Sequence, residues 1–133
     1  MPDDRQEIIQ VLISFFTEEC EWERACDQNH VSDSDQGMMI MNTFKKYCTP
    51  RVRKYSEYPI RSYGYDGVYN YDPSKIDIEN IEINRNKAIV TIMITEPFRE
   101  RYQFILKKTT NGWLIDSKKM YSTWEQKWKN AVL

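Results

Sequence analysis

The sequence contains a single histidine, His30, and lacks the short motifs that mark common catalytic and nucleotide-binding sites. The patterns GxSxG, HExxH, Walker A and GxGxxG are all absent. Cys26 and His30 are spaced so that one helix face could present both to a transition metal. However, Cys20 would lie about 240° away from Cys26 around the helix, and no second histidine completes a ligand set. We therefore expect no metal, no cofactor and no catalytic residues of a nucleophilic hydrolase.

The chain also has few cysteines and almost no net charge. Cys20, Cys26 and Cys48 are odd in number and have no CxxC spacing, which predicts free, reduced thiols rather than disulfides. The 19 basic and 20 acidic residues leave a net charge of −1, so neither a nucleic-acid-binding field nor an acidic tail is indicated. Acidic residues flank the first apolar run, so we expect this run to be neither a signal peptide nor a membrane span. A cytoplasmic protein of one domain, residues 1–133, is expected.

What the chain does have is a strong hairpin signal at Asn111-Gly112. The stretch 98–121 reads as two strands joined there, because apolar and polar residues alternate before the turn. The return strand begins with Trp113-Leu114-Ile115, so its start should be covered on both faces. Asp116 has the opposite parity to Ile115 and should face away from the core. A further alternating strand over 88–95 completes an antiparallel meander of three strands.

The first half of the chain predicts helices. Apolar residues at 3/4 spacing predict one long amphipathic helix from Asp3 to about Asn29, whose acidic second half should be the more exposed half. Ser32 and Ser34 can cap a second helix that continues to Tyr47. Its methionines at 38, 39 and 41 are expected in the core, with an adaptable binding groove as the alternative. Thr49-Pro50 should open a short third helix.

The remaining elements are predicted from parity and turn residues. Isoleucines change parity between residues 78 and 81, which predicts a bulge near Glu79-Asn80, and Arg85-Asn86 should form the next turn. A tyrosine-lined hairpin or long loop fits residues 60–73. Ser122 and Glu125 match a capping box, so the chain is predicted to close with a helical segment. A strand that extends to Trp124 is the competing prediction.

Two stretches are candidate partner-binding sites. The acidic end of the first helix could meet a basic partner, although a charge run on a helix is usually only its solvated face. Six of the nine tyrosines lie within residues 55–71, where they either cover a curved sheet or form an interface. The candidate residues are Glu18, Glu19, Glu23, Asp27, Tyr55, Tyr58, Tyr63, Tyr65, Tyr69 and Tyr71.

The order of these elements, with the Asn111–Asp116 segment after a strand at 102–108, resembles the NTF2-like α+β fold over nearly the whole chain. NTF2-like proteins include isomerases, dehydratases, transport factors and bacterial immunity proteins. The Glu21-Trp22-Glu23 run, the Trp113 hairpin and the Trp124 ending are most similar to the immunity group. The resemblance implies a curved antiparallel sheet wrapped as a cone around the first helix. Phe15, Ile92, Phe104 and Ile115 should then share a core.

Membership of the immunity group would imply a protein that binds and neutralises a cognate bacterial toxin domain. Its partners would be that toxin, with no nucleic acid and no membrane, and a homodimer through the sheet is a further expectation. The alternative is a small-molecule-binding or isomerase-type enzyme with a pocket in the cone. Such an enzyme must place an ionisable group, Asp66 or Asp116 for example, inside the cavity.

Overall fold

Within the residues that the structure describes, two α-helices precede a five-stranded antiparallel sheet. The computed structural model describes residues 3–29, 31–51, 69–96, 99–131 and 133. The α+β class predicted from the sequence is confirmed. The helices are α1 (Asp4–Asn29) and α2 (Asp33–Tyr47), and a 3₁₀ turn at Pro73–Lys75 leads into strands β1 (Ile76–Asn84), β2 (Lys87–Ile94), β3 (Glu100–Thr109), β4 (Gly112–Ser122) and β5 (Lys127–Ala131).

Both helices begin and end close to the predicted positions. Ser32 is the N-cap of α2, where its Oγ accepts a hydrogen bond from the backbone N–H of Asp35 at 3.3 Å. This contact satisfies one of the amide donors that a helix leaves open at its first turn. The predicted short third helix and the hairpin or loop over 60–73 lie largely outside the described residues.

The sheet is a meander in the order β1-β2-β3-β4-β5, with each strand antiparallel to the next. The predicted meander of three strands is confirmed as β2, β3 and β4. Gly112, at the start of β4, has φ +93°, a conformation that L side chains rarely adopt. A Cβ at this position would also lie 3.5 Å from Glu7 Oε2. The Asn111-Gly112 hairpin therefore depends on glycine for its backbone conformation.

Two β-bulges curve the sheet. The first lies between Ile78 and Asn80 of β1, as the parity change predicted. The second lies in β4, because Ile105 pairs with Ser117 whereas Leu106 pairs with Ile115, which leaves Asp116 as the extra residue. Strict alternation fails at this bulge. Asp116 is buried, contrary to the prediction that it faces away from the core, and Lys107 Nζ lies 3.4 Å from its Oδ2.

The end of the chain is a hairpin, so the prediction of a closing helix is wrong. Ser122 Oγ does accept a hydrogen bond from the backbone N–H of Glu125, at 3.1 Å, as a capping box requires. Here the bond closes a turn, after which β5 pairs back along β4. Tyr121 and Trp128 face each other across the pair with ring centroids 5.3 Å apart. The competing prediction of a strand that extends to Trp124 is two residues too long, because β4 ends at Ser122.

The chain forms two compact units, Met1–Val11 with Ser74–Leu133 and Leu12–Pro73. In the unit that holds the sheet, the buried apolar residues are Ile8, Ala88, Val90, Ile92, Met93, Phe104, Ile105, Leu106, Trp113, Ile115 and Leu133. In the helical unit, the ring of Phe15 packs against those of Phe16, Phe44 and Tyr71 at centroid distances of 5.7–6.3 Å. The predicted single domain, the cone around the first helix and the core shared by Phe15 and the strands stay predictions.

The first turns of α1 bind the start of β4 through polar contacts. Glu7 Oε2 accepts the backbone N–H of Trp113 at 2.9 Å, and Asp4 Oδ1 accepts the indole N–H of the same residue at 3.1 Å. Lys108 Nζ lies 2.9 Å from Asp4 Oδ1. The hydrogen bond from Trp113 and then the hydrogen bond and charge of Lys108 hold the pKa of Asp4 below its ordinary value.

This cluster predicts a pH-dependent effect of Asp4→Asn. A lowered pKa in the folded state means that ionised Asp4 stabilises the fold above its unfolded pKa of about 4. The contribution is lost as the pH falls through the folded pKa. The variant should therefore melt at a lower temperature than the wild type at pH 7, and the difference should shrink steadily below about pH 4.

Thermal unfolding of both proteins between pH 7 and the acid limit of solubility measures this difference. Asp77→Asn, at an exposed position of β1 in the same unit, is the matched control and should change the melting temperature little. A difference between wild type and Asp4→Asn that widens as the solution is acidified would show that the contacts of Asp4 do not stabilise the folded state.

Candidate partner-binding surfaces

The second half of α1 has more exposed residues than the first, as expected, but two of its acids are buried. Glu19 and Glu23 are both 0% exposed. The two carboxylate oxygens of Glu23 accept the backbone N–H groups of Asn70, at 2.8 Å, and of Tyr71, at 3.0 Å. The backbone N–H of the buried Tyr71 needs an acceptor, and here a side chain of the helix provides it. The geometry gives Glu23 a structural task inside the helical unit.

Tyr69 and Tyr71, two of the six clustered tyrosines, are also buried. The hydroxyl of Tyr69 donates to Asp27 Oδ2 at 3.0 Å, and the guanidinium of Arg24 lies 5.6 Å from the centre of the Tyr69 ring. Burial and then the hydrogen bond to Asp27 raise the pKa of Tyr69. Tyr71 packs its ring against Phe15 and Phe16. Both rings serve the interior of the helical unit. Tyr55, Tyr58, Tyr63 and Tyr65 lie outside the described residues.

Glu18 and Asp27 are the two predicted acidic residues that keep partial exposure. Glu18 Oε1 binds Lys46 Nζ at 2.8 Å and accepts the hydroxyl of Tyr47 at 3.2 Å. The carboxylate raises the pKa of Lys46, mainly through this hydrogen bond. Glu18 thus joins α1 to the last turn of α2. The structure brings the acids of α1 and two of the tyrosines together, but as internal contacts of one unit.

The thiols agree with the sequence prediction, since Cys20, Cys26 and Cys48 are free and buried. Burial, and then the charge of Glu23, raises the pKa of Cys26 to about 11, so its thiolate is a minor species near neutral pH. Across the described part of the chain, no group of three or more histidine, cysteine, aspartate or glutamate residues is arranged to hold a metal ion. His30, the possible partner of Cys26, lies outside that part.

Exposed apolar side chains mark candidate partner-binding surfaces other than those predicted from the sequence. Met38 and Met41 are 62% and 44% exposed on α2, so the core prediction is wrong for these two methionines. Met39 is partly buried and packs against the core cluster of Trp22, Cys26 and Ile40. The buried side of this helix is instead formed by Gln36, Gly37, Ile40 and Thr43. Trp124, in the turn between β4 and β5, is 94% exposed. Sequence reasoning missed Trp124 as a surface residue because its spacing from Tyr121 and Trp128 matched a helix.

Trp124 stands at the tip of the terminal hairpin, which we define as residues 118–129. The terminal hairpin contains four lysines and one glutamate, Lys118, Lys119, Lys127, Lys129 and Glu125. Glu125 Oε2 lies 2.9 Å from Lys129 Nζ and 3.9 Å from Lys127 Nζ. Lys118 Nζ lies 4.6 Å from the centre of the Tyr102 ring on the neighbouring strand. The hairpin is therefore a basic surface with an indole at its end.

Comparison with known proteins places the chain in relation to a family. A protein-family model described as NTF2 fold immunity protein matches residues 7–131. No curated protein and no solved structure matches the chain. Among the helices that the structure describes, none is long and apolar enough to cross a membrane.

Proposed function

Because the chain belongs to the family of NTF2 fold immunity proteins, we propose that it binds a cognate bacterial toxin domain and neutralises it in a stoichiometric complex. The family match over residues 7–131 carries this proposal. The NTF2-like fold expected from the order of the elements is confirmed by the same match, and an immunity role implies a protein toxin as partner. Residence in the cytoplasm of a bacterium and direct inhibition of the toxin are parts of the proposal.

The energetic demand on such a protein is high. A cell that contains its own toxin needs capture at roughly nanomolar affinity, or about −12 kcal/mol. Affinities of this size usually depend on a few buried aromatic or arginine side chains, surrounded by charged residues that steer association. The exposed indole of Trp124 beside lysines supplies both kinds of group. These features support the binding of a protein partner.

The described residues give no specific support to the isomerase-type alternative. That alternative places an acid such as Asp66 or Asp116 in a pocket as the catalytic base. Asp116 instead forms an ion pair with Lys107 at the β4 bulge, and Asp66 lies outside the described residues. The homodimer through the sheet stays a prediction.

Co-expression with the product of the adjacent gene tests the proposed function. We expect the neighbouring toxin to arrest growth when it is produced alone, and growth to resume when this protein is produced with it. The two purified proteins should form a one-to-one complex on size-exclusion chromatography with light scattering. A neighbour that is not toxic, or a toxin that neither binds nor is neutralised, would overturn the proposal.

A further inference from the structure

We propose that the terminal hairpin, residues 118–129, is the surface that docks the toxin, with Trp124 inserted into an apolar pocket that acidic residues of the toxin surround. This assignment rests on the proposed function and adds to it the binding surface and the chemistry of the partner's site. It differs from the acidic helix end and the tyrosine cluster that the sequence favoured.

The first argument is the placement of Trp124. A tryptophan side chain that is 94% exposed contributes almost nothing to the core of its own chain. Tryptophan is also among the residues most enriched at the energetic centres of protein interfaces. The indole of Trp124 is therefore the largest apolar group that the described residues offer to a partner.

The second argument is that the turn which carries this indole has a fixed conformation. Ser122 Oγ binds the Glu125 backbone N–H at 3.1 Å, and Gln126 takes a φ of +54° that closes the turn. Below the turn, Tyr121 and Trp128 pack with their ring centroids 5.3 Å apart. A side chain on a turn that is already fixed loses less conformational freedom on binding than one on an unstructured loop. The hairpin thus presents Trp124 from a defined position.

The third argument is charge. Four lysines and one glutamate give the terminal hairpin a charge of +3, whereas the whole chain carries −1. The remainder of the chain therefore carries −4, so the basic hairpin does not follow from the overall composition. A local field of this sign favours association with an acidic surface and opposes a basic one.

The register of the hairpin places apolar and basic groups on one face. Met120 pairs with Lys129, Ser122 with Lys127 and Lys118 with Ala131, and paired residues of an antiparallel sheet share a face. Lys118, Lys127 and Lys129 therefore share this side of the sheet with the exposed Met120, whose other cross-strand neighbour is Tyr102 of β3. An apolar centre with a charged rim is the usual anatomy of a specific protein interface. The partner that fits this face has an apolar patch with acidic residues around it.

Two substitutions in the full chain test the assignment against the toxin from the adjacent gene. Trp124→Ala should weaken the affinity for the purified toxin by about 30-fold or more, the effect expected of an interface hot spot. Because Trp124 is exposed, the melting temperature should stay that of the wild type. The double reversal Lys127→Glu with Lys129→Glu should slow association and reduce its dependence on salt.

Matched controls change residues outside the terminal hairpin. Met38→Ala removes an exposed apolar side chain from α2, and Lys87→Glu reverses an exposed charge on β2. Both should keep the affinity within about threefold of the wild type. If the wild type neutralises the toxin but Trp124→Ala binds it equally well, the docking surface is wrong and the proposed function stands. If the wild type itself fails to bind, the proposed function is wrong.

A membrane is the competing occupant, since tryptophan and lysine also favour anionic lipid surfaces. Flotation of the wild-type protein with vesicles of phosphatidylglycerol and phosphatidylethanolamine decides between the two. We expect no flotation. Flotation that Trp124→Ala abolishes, together with an unchanged affinity of that variant for the toxin, would assign the hairpin to the membrane and overturn the docking proposal.

Discussion

Replacing Phe104 by alanine is expected to lower the free energy of unfolding by about 3–5 kcal/mol. The Phe104 ring is 1% exposed on β3, where it pairs with Val90, and Val90 and Leu106 on the same face are also fully buried. Truncation removes the transfer free energy of the ring and leaves a cavity that rigid strands fill poorly. Urea unfolding at neutral pH, followed by far-UV circular dichroism, measures the change.

A matched pair of isoleucine variants separates burial from the substitution itself. Ile92→Ala on β2 removes a buried side chain and should cost about 2–5 kcal/mol. Ile83→Ala on β1 removes the same atoms from a residue that is 40% exposed and should cost well under half as much. An unchanged unfolding midpoint for Phe104→Ala would show that its ring does not lie in the core of the sheet unit.

The second large effect is expected at Glu23, whose replacement by alanine should destabilise the protein by about 2–5 kcal/mol. Glu23→Ala leaves the backbone N–H groups of Asn70 and Tyr71 without the acceptor that they have now. An unsatisfied buried donor costs about 1–3 kcal/mol, and the removed side chain leaves a cavity as well. The free energy of unfolding from urea titration tests the size of the loss.

Glu23→Gln is the informative companion, because its amide keeps one acceptor oxygen and replaces the other with a donor. It should retain the hydrogen bond to one of the two amides, and its loss of stability should fall between those of the wild type and Glu23→Ala. Amide hydrogen exchange at Asn70 and Tyr71 should become faster in both variants. Unchanged protection of these amides in Glu23→Ala would contradict the structural task assigned to the carboxylate.

The elements that the sequence predicted correctly depend on residues that are close together in the chain. The Asn111-Gly112 hairpin, the bulge between Ile78 and Asn80 and the Ser32 cap each depend on residues within a few positions of one another. The chemistry of a turn or a cap is complete within such a stretch, so the pattern alone predicts the element. The limit of this reasoning is visible at Ser122 and Glu125. The same hydrogen bond between Ser122 and Glu125 occurs in a helix cap and in a hairpin turn. Here the chain forms the hairpin, because β5 pairs with β4.

The candidate site was predicted less well than the fold. The acids of α1 looked like a solvated face or a docking surface, but Glu19 and Glu23 are buried. Met38 and Met41 looked like core and are exposed. In each case the spacing along the helix was read correctly, but spacing does not reveal which side of a helix other segments cover. Trp124 was missed for a different reason, because its spacing from Tyr121 and Trp128 predicted a helix where the chain forms a hairpin turn.

The sequence by itself determined the α+β class, the positions of both helices, three strands of the meander and the free state of the cysteines. These depend on periodicity, turn chemistry and composition, all of which act locally. The tertiary structure alone decided which polar groups are buried and which apolar groups are exposed. Glu23 binds a backbone amide 47 residues away, and Glu7 binds one 106 residues away. Contacts at such separations form only when the chain has folded. The carboxylate of Glu23 can be buried because donors from another segment of the chain hydrogen-bond to it.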